Sequence, residues 1–183
     1  MNKLYVGVDV GNKGALCIMD SNQKILEVFV MPTFQKYMGK GKKVKLRTFT
    51  DNIALVRKFS EYEGKGYSIV FGLETIFALR SAYGSMNMGI GYGLLWGALE
   101  QFGEVNFFTP AEWQKNMLNE YKSFIVELDT SDLKENSKEL PIGLTRHFFG
   151  NDILLATSRS RVPHDGIADA IWIADYLRRT DNV

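Results

Sequence analysis

Four acidic residues stand in settings where a carboxylate is costly unless it is paired or binds a metal. Asp9 lies inside the apolar run 4–10 (LYVGVDV), and Glu74 ends the apolar run 68–74 (SIVFGLE). Asp165 and Asp169 follow near the end of the chain. Carboxylate oxygens suit the hard cations Mg²⁺ and Mn²⁺. Two such ions can promote hydrolysis of a phosphodiester bond, whereas one cysteine and two histidines disfavour a zinc site.

Each carboxylate also has a simpler interpretation. Asp9 or Glu74 alone fits a residue at a strand end that faces water, and Asp165 in a first helical turn suits the helix dipole. Asp169 lies deeper in the same predicted helix, between two alanines, where neither interpretation applies. Asp165 and Asp169 share one helical stripe, although like charges at this spacing destabilise an isolated helix by about 0.2–0.5 kcal/mol. The four acids together therefore favour a metal site.

The elements that must position these acids follow from the apolar periodicity and the turn residues. Strands are predicted at 4–10, 14–20, 24–31, 68–74 and 104–108, and helices at 50–62, 86–102 and 141–149, from Pro110, and from about Pro163 to Arg179. The helix over 86–102 is expected to be buried, with early glycines that allow close approach by another backbone. The polar segment 119–140 is interpreted as an insertion or a mobile segment.

Three strands joined by tight turns, followed by alternating helices and strands, predict an α/β domain. The length of 183 residues predicts one domain over residues 1–183. If the first and fourth strands are parallel neighbours, Asp9 and Glu74 end side by side at the sheet edge where α/β sites gather.

The charge distribution is more informative than the net charge of +1. One segment without acidic residues, interpreted as a flexible loop, carries Lys36, Lys40, Lys42, Lys43, Lys45 and Arg47. Arg159 and Arg161 form a second small basic cluster before the last helix. Such clusters fit a nucleic-acid surface, and a solvated surface fits them equally well.

The compartment is expected to be reducing and cytoplasm-like. The N-terminus runs from Met1 into a strand-like segment without signal-peptide features. Cys17 has no disulfide partner within the chain. No stretch approaches the roughly 18–20 consecutive apolar residues of a membrane span. These features predict a cytoplasmic protein without a membrane partner, in a bacterium or, for a viral protein, in an infected host cell.

The order of these features resembles the RuvC family of Holliday-junction resolvases, with a ribonuclease-H-like fold. The resemblance covers an early strand Asp, the run 74–77 (ETIF), the glycine-containing helix near the family's dimer interface, and the closing run 164–170 (HDGIADA). Residues 108–115 (FTPAEWQK) resemble a segment of the phage and poxvirus branch. The fold implied is a five-stranded mixed sheet, with three antiparallel N-terminal strands and then parallel strands, flanked by helices.

The resemblance implies a homodimer that nicks a four-way DNA junction symmetrically, with two Mg²⁺ or Mn²⁺ ions in each active site. By motif position, the metal ligands and catalytic acids are Asp9, Glu74, Asp165 and Asp169. The DNA contacts implied are Lys115, Phe77, Arg80, Lys42, Lys43, Lys45, Arg159 and Arg161, with Phe77 stacking on bases. A core phenylalanine is the alternative for Phe77.

Two features depart from the family pattern. The last two aspartates are four residues apart, whereas bacterial members commonly place them three apart; both spacings keep one helical face. The segment 119–140 and the basic segment are longer than a minimal member needs, which leaves forks and flaps open as further substrates.

Two rival functions remain. GVDVGNKGA at 7–15 loosely fits the phosphate loop of an actin-like ATPase, although such proteins need two lobes. A DNA-binding protein that kept the fold without the chemistry is the other, and the presence of all four acids disfavours it.

Overall fold

The computed structural model describes residues 2–39, 44–76, 81–127 and 139–181. The strands are β1 (Lys3–Asp9), β2 (Ala15–Asp20), β3 (Ile25–Val30), β4 (Thr33–Met38), β5 (Lys45–Thr50), β6 (Ser68–Glu74) and β7 (Gly103–Phe108). The helices are α1 (Asn52–Gly64), α2 (Ala82–Leu99), α3 (Pro110–Glu120), α4 (Lys122–Glu127), α5 (Glu139–Phe149) and α6 (Asp165–Thr180). A single 3₁₀ turn, Asp152–Leu154, lies between α5 and α6.

The main sheet has five strands in the order β3-β2-β1-β6-β7. Strands β1, β2 and β3 pair antiparallel, whereas β6 pairs parallel with both β1 and β7. The prediction of an α/β fold with a five-stranded mixed sheet flanked by helices is therefore confirmed. This is the arrangement expected of a ribonuclease-H-like fold. The central strands read as continuous apolar runs because helices cover both of their faces.

Two helical layers enclose the sheet. On one face, the helices α1 and α2 contribute Leu55, Phe59, Leu95 and Leu99 to the core. On the other face, α6 lies directly on the sheet through residues such as Ile167, Ile171 and Ala174. Helices α3 and α5 pack outside α6, around Trp113, Leu144 and Trp172. Helix α6 is thus enclosed by the sheet on one side and by helices on the other.

Helix α6 touches the backbone of β1 at Gly7. A Cβ atom at this position would lie 2.0 Å from the carbonyl oxygen of Ala170 and 2.4 Å from the amide nitrogen of Ala174. Only hydrogen fits in that space, because real heavy atoms do not approach so closely. On the neighbouring strand, Cys17 lies opposite Gly7 and is fully buried. Burial, and secondarily the charge of Asp175, raise the pKa of its thiol.

A buried charge fixes the far end of α6. Asp175 has no exposed surface, yet its carboxylate accepts hydrogen bonds from four side chains. The donors are Gln23 Nε2 at 3.0 Å, the Tyr121 hydroxyl at 3.0 Å, Arg178 Nη2 at 2.8 Å and Arg179 Nε at 3.0 Å. A buried carboxylate is tolerated when it is paired and hydrogen-bonded in this way. The network joins α6 to the β2–β3 turn and to the end of α3.

The basic segment is a hairpin, and the interpretation as a flexible loop is wrong for its flanks. Strands β4 and β5 pair antiparallel from Thr33↔Thr50 to Met38↔Lys45, and their side chains are mostly exposed. The sequence signal is weak because neither face is buried in the core. Asn12 Nδ2 donates to the carbonyl oxygen of Thr48 at 2.9 Å, which connects the hairpin to the β1–β2 turn.

Helix α2 differs from the expected buried helix. It begins at Ala82, and only Leu95, Ala98 and Leu99 near its C-terminal end are buried. Its exposed apolar residues include Tyr83, Met86, Ile90 and Leu94, each with at least 54% of its surface exposed. Cβ atoms added at its glycines 89, 91, 93 and 97 would meet nothing within 4 Å among the described residues, so no backbone of the chain's described part approaches closely there. An apolar surface of this kind marks an interaction site.

A search for membrane spans identifies no helix in the described ranges with the length and apolarity that crossing a bilayer requires.

The contact at Gly7 can be tested with Gly7→Ala. We expect a loss of about 1–3 kcal/mol or more in the free energy of unfolding, because the added methyl overpacks two backbones. Urea unfolding measures it. The matched control is Gly143→Ala in α5, where a Cβ meets nothing within 4 Å, and where a gain of up to about 1 kcal/mol is expected. Equal stabilities of the two variants would contradict the close seating of α6 on β1.

Candidate active site

All four predicted acids line one cavity of about 600 Å³. Asp9 comes from β1, Glu74 from β6, and Asp165 and Asp169 from α6. Each of these residues is half-buried. The structure therefore brings together side chains that are up to 160 positions apart in the sequence.

The strands place two of the acids at the same sheet edge. Strands β1 and β6 are parallel neighbours, and Val8 pairs with Leu73, so the next residues along the two strands are Asp9 and Glu74. The carboxyl ends of neighbouring parallel strands are where sites form in α/β sheets. Asp9 and Glu74 were predicted to lie side by side if the first and fourth predicted strands are parallel neighbours, and β1 and β6 are.

The first turns of α6 supply the other two acids. A Cβ at Gly166 would lie 2.5 Å from Asp9 Oδ2, so glycine is needed for the Asp9 carboxylate to lie against the helix N-terminus. The amide of Gly166 donates to Asp165 Oδ1 at 3.0 Å. The positive end of the helix dipole favours negative charge at this place. His164, which the sequence left without a definite role, caps α6: its Nδ1 accepts from the amide of Ile167 at 3.3 Å.

Trp113 holds the Glu74 side chain from the next layer. Its indole Nε1 donates to Glu74 Oε1 at 3.0 Å, and its ring is completely buried. Burial raises the pKa of Glu74, and this hydrogen bond lowers it again in part. Helix α3 is well positioned for this contact because Thr109 and Glu112 form a capping box at its start, with Pro110 in the first turn.

Three polar residues of the cavity were missed by the sequence. Asn12 and Lys13 come from the turn after β1, and Gln114 comes from α3. Lys13 is the cation among the residues that line this cavity. The signals were available: the turn between Gly11 and Gly14 directly follows the strand that carries Asp9, and Gln114 lies one helical turn after Pro110.

None of the predicted DNA contacts among the described residues lines this cavity. Lys115 is exposed on α3, next in sequence to Gln114, and Arg159 and Arg161 are exposed in the segment that leads to α6. Lys45 is exposed on β5 and lines a second cavity between the hairpin and α2. The predicted contacts Phe77, Arg80, Lys42 and Lys43 lie outside the described residues, as does Lys40.

The donor set of the cavity fits a hard divalent cation. All four acids offer oxygen, which Mg²⁺ and Mn²⁺ prefer. Burial already raises the pKa of Glu74, and a nearby cation would offset that cost of ionisation. Within the part of the chain that the structure describes, however, no three His, Cys, Asp or Glu side chains converge as a ready-made metal site.

No family model matches the chain. Nor does any curated protein match it. Among solved structures, the chain is similar to the Thermus thermophilus RuvC structure, with a TM-score of 0.46 and 17% identity over 99% of this chain and 97% of that chain. It is also similar to T. thermophilus RuvC in complex with a Holliday junction substrate, with a TM-score of 0.49 and 14% identity over 98% and 96% of the two chains. At these identities the likeness assigns no role to any residue.

The contact between Trp113 and Glu74 can be tested with Trp113→Phe. Loss of the indole donor raises the pKa of Glu74 further, because the hydrogen bond favours the ionised form. Since a cation binds the ionised carboxylate, the pH at which Mn²⁺ binding becomes half-maximal should move upward. Calorimetric titration of Mn²⁺ across a pH series measures this shift.

The matched control is Trp172→Phe. The indole of Trp172 is also buried and donates to the carbonyl oxygen of Pro141 and to the hydroxyl of Thr145, both at 3.0 Å. Both variants should lose about 1–3 kcal/mol of stability, but only Trp113→Phe should shift the pH dependence. A similar shift in both variants, or in neither, would contradict a specific effect on Glu74.

Proposed function

We propose that this chain is a metal-dependent, structure-specific endodeoxyribonuclease that resolves four-way DNA junctions by paired nicks. The observation that carries the proposal is the meeting of Asp9, Glu74, Asp165 and Asp169 at one cavity. Three separate elements supply these acids, so their grouping is a property of the fold and not of one charged segment. Like charges grouped in this way repel one another, and a bound cation would offset that repulsion.

The chain's own groups would divide the chemistry among them. The four acids would hold Mg²⁺ or Mn²⁺, two ions in each site. Such ions, when bound, supply the Lewis acidity that activates water and stabilises charge on the leaving oxygen. Trp113 keeps the Glu74 carboxylate directed by its hydrogen bond. Lys13 and Gln114 lie where they can bind the oxygens of the scissile phosphate.

The exposed basic residues would bind the DNA backbone around the cut. The hairpin contributes Lys36, Lys45 and Arg47, and its base is joined to the β1–β2 turn of the site through the Asn12–Thr48 hydrogen bond. Lys115 is exposed on α3, next in sequence to Gln114 of the cavity. Contacts of this kind position the DNA without reading its sequence. A nearly neutral chain thus concentrates its positive charge where phosphates would lie.

The exposed apolar face of α2 supports a homodimer. Met86 and Trp96 are exposed on one side of the helix, and the open glycines 89, 93 and 97 recur at helical spacing on that same side. Two copies packed through this face would remove the apolar surface from water and bring two active sites to one junction. The resemblance of residues 108–115 to a segment of the phage and poxvirus branch supports a place in that branch. Trp113 and Gln114 of this segment lie at the candidate site.

The catalytic role of the acids is tested by Asp9→Asn. We expect Mg²⁺-dependent cutting of a labelled four-way junction to fall by at least about a hundredfold, because transition-state charge loses its stabilisation. Junction binding without metal should persist or improve, because a negative charge beside the phosphate is removed. Gel assays with a linear duplex and a Y-fork as companion substrates measure cutting and binding.

The matched control for that variant is Asp152→Asn, which changes an exposed aspartate that does not line the cavity. It should cut as the unchanged protein does. Appreciable cutting by Asp9→Asn would refute the assignment of the acids. Tight junction binding without cutting by the unchanged protein would favour a DNA-binding protein without nuclease chemistry, and equal cutting of the Y-fork would indicate a broader debranching nuclease.

The DNA surface is tested by the salt dependence of junction binding. The double variant Lys36→Gln/Lys45→Gln should flatten the slope of log affinity against log salt by about 2, since each phosphate contact contributes about 0.9. The control is Lys24→Gln/Lys65→Gln, because these lysines precede β3 and β6 at the opposite edge of the sheet. If both double variants change the slope equally, the hairpin is not a specific DNA contact.

A further inference from the structure

A second cavity of about 800 Å³ lies between the β4–β5 hairpin and helix α2. Its volume falls within the about 300–1,000 Å³ that is usual for small-ligand pockets. The hairpin side contributes Lys45, Arg47 and Phe49, and the helix side contributes Tyr83 and Tyr92, among others. The cavity therefore lies between the hairpin, which carries proposed DNA contacts, and helix α2.

This second cavity adjoins the acidic cavity. Val10, Gly11 and Asn12, directly after Asp9, line both. Tyr92 lines the second cavity, and it lies near enough to Glu74 for that charge to add to the effect of burial in raising the pKa of Tyr92 to about 12. A chemical group bound in the second cavity could therefore belong to the same molecule as a group bound in the acidic cavity.

The walls combine flat rings with positive charge at the rim. The guanidinium of Arg47 lies over the ring of Tyr83, 5.8 Å from its centroid. Phe49 stacks on Phe34 of the neighbouring strand at a centroid distance of 5.6 Å. Aromatic rings and arginine planes are the surfaces on which unpaired bases stack, and each stacked base contributes substantially to binding.

The cavity also offers polar groups of the kind that recognise base edges. The hydroxyl of Tyr92 is buried and has no hydrogen-bond partner among the described residues. Buried polar groups in folded proteins are rarely left unsatisfied. Asn87 lines the same cavity with an amide that can both donate and accept.

We propose that this second cavity receives one unstacked nucleobase of the DNA strand whose phosphate lies in the acidic cavity, so that it sets the base preference of cutting. The inference rests on the proposed function, which it deepens. Lys45 and Arg47 at the rim favour a polyanion as the occupant. A second copy of this chain fits less well here, because it would bring an identical set of cations to the same place; Met86 and Trp96 of the proposed dimer face do not line this cavity.

The experiment fills the cavity through Gly91, which lines it on α2. A Cβ at Gly91 meets nothing within 4 Å, so a side chain there is accommodated by the fold. Gly91→Phe occupies the space intended for the base, and Gly91→Ala is the matched control that leaves most of the space open. Both variants should fold, because either residue has a higher helix propensity than glycine.

Two readouts on four-way junctions report the occupant. A single 2-aminopurine is placed at successive positions around the cut, and fluorescence is measured on binding in Ca²⁺. For the unchanged protein and Gly91→Ala, fluorescence should rise at one position, where the base leaves the stack; for Gly91→Phe it should not. An abasic site at that position should slow cutting by the unchanged protein about tenfold, whereas Gly91→Phe should cut both junctions at the same reduced rate.

The outcomes separate this inference from the proposed function. Normal cutting without a fluorescence rise at any position, or Gly91→Phe cutting with unchanged rate and base preference, overturns the inference and leaves the nuclease intact. A fluorescence rise without any cutting supports the cavity and refutes the nuclease. Light scattering of each variant completes the test: a dimer that Gly91→Phe converts to a monomer would show that a second copy occupies the cavity, and would overturn the inference.

Discussion

The close contact between α6 and the backbone of β1 is the constraint on which the site depends. Because Gly7 has no side chain, the helix lies against the strand at Ala170 and Ala174. That seating brings the N-terminal turns of α6 to the end of β1, where Gly166 leaves room for the Asp9 carboxylate. A larger residue at either glycine would displace the helix, and with it two of the four acids. The geometry of the cavity is therefore set by small residues that take no part in chemistry.

The acidic residues at the two ends of α6 have different surroundings. At the far end, the buried Asp175 is satisfied by two arginines, a tyrosine and a glutamine, and acts as a structural anchor. At the near end, the acids share a cavity whose lining includes a single lysine, and burial raises the pKa of Glu74. A group of acids at one cavity can cost stability and is retained where function requires it. The network around Asp175 holds the opposite end of the helix against the β2–β3 turn and the end of α3.

The sequence predicted what depends on local pattern. Asp9 and Glu74 stand out because they interrupt apolar strands, and the five-stranded sheet follows from those same runs. Contacts between distant elements were not predictable in this way: no local pattern indicates that the indole of Trp113 reaches Glu74. The hairpin was missed because β4 and β5 bury neither face, so the apolar alternation that marks a strand is absent. Helix α2 was expected to be buried because its composition is apolar all round. The same composition equally suits a helix whose exposed face binds another molecule.

The environment of Cys17 has a practical consequence. The only cysteine of the chain is enclosed beneath α6, and burial keeps its thiol protonated by raising its pKa. Thiolates, not thiols, react with maleimides and disulfides, so the native chain is inert toward such reagents while it stays folded. One cysteine introduced on the hairpin or on α2 would therefore carry a fluorophore or spin label at a single defined position. Distances across the second cavity could then be followed in solution without replacing any residue of the core.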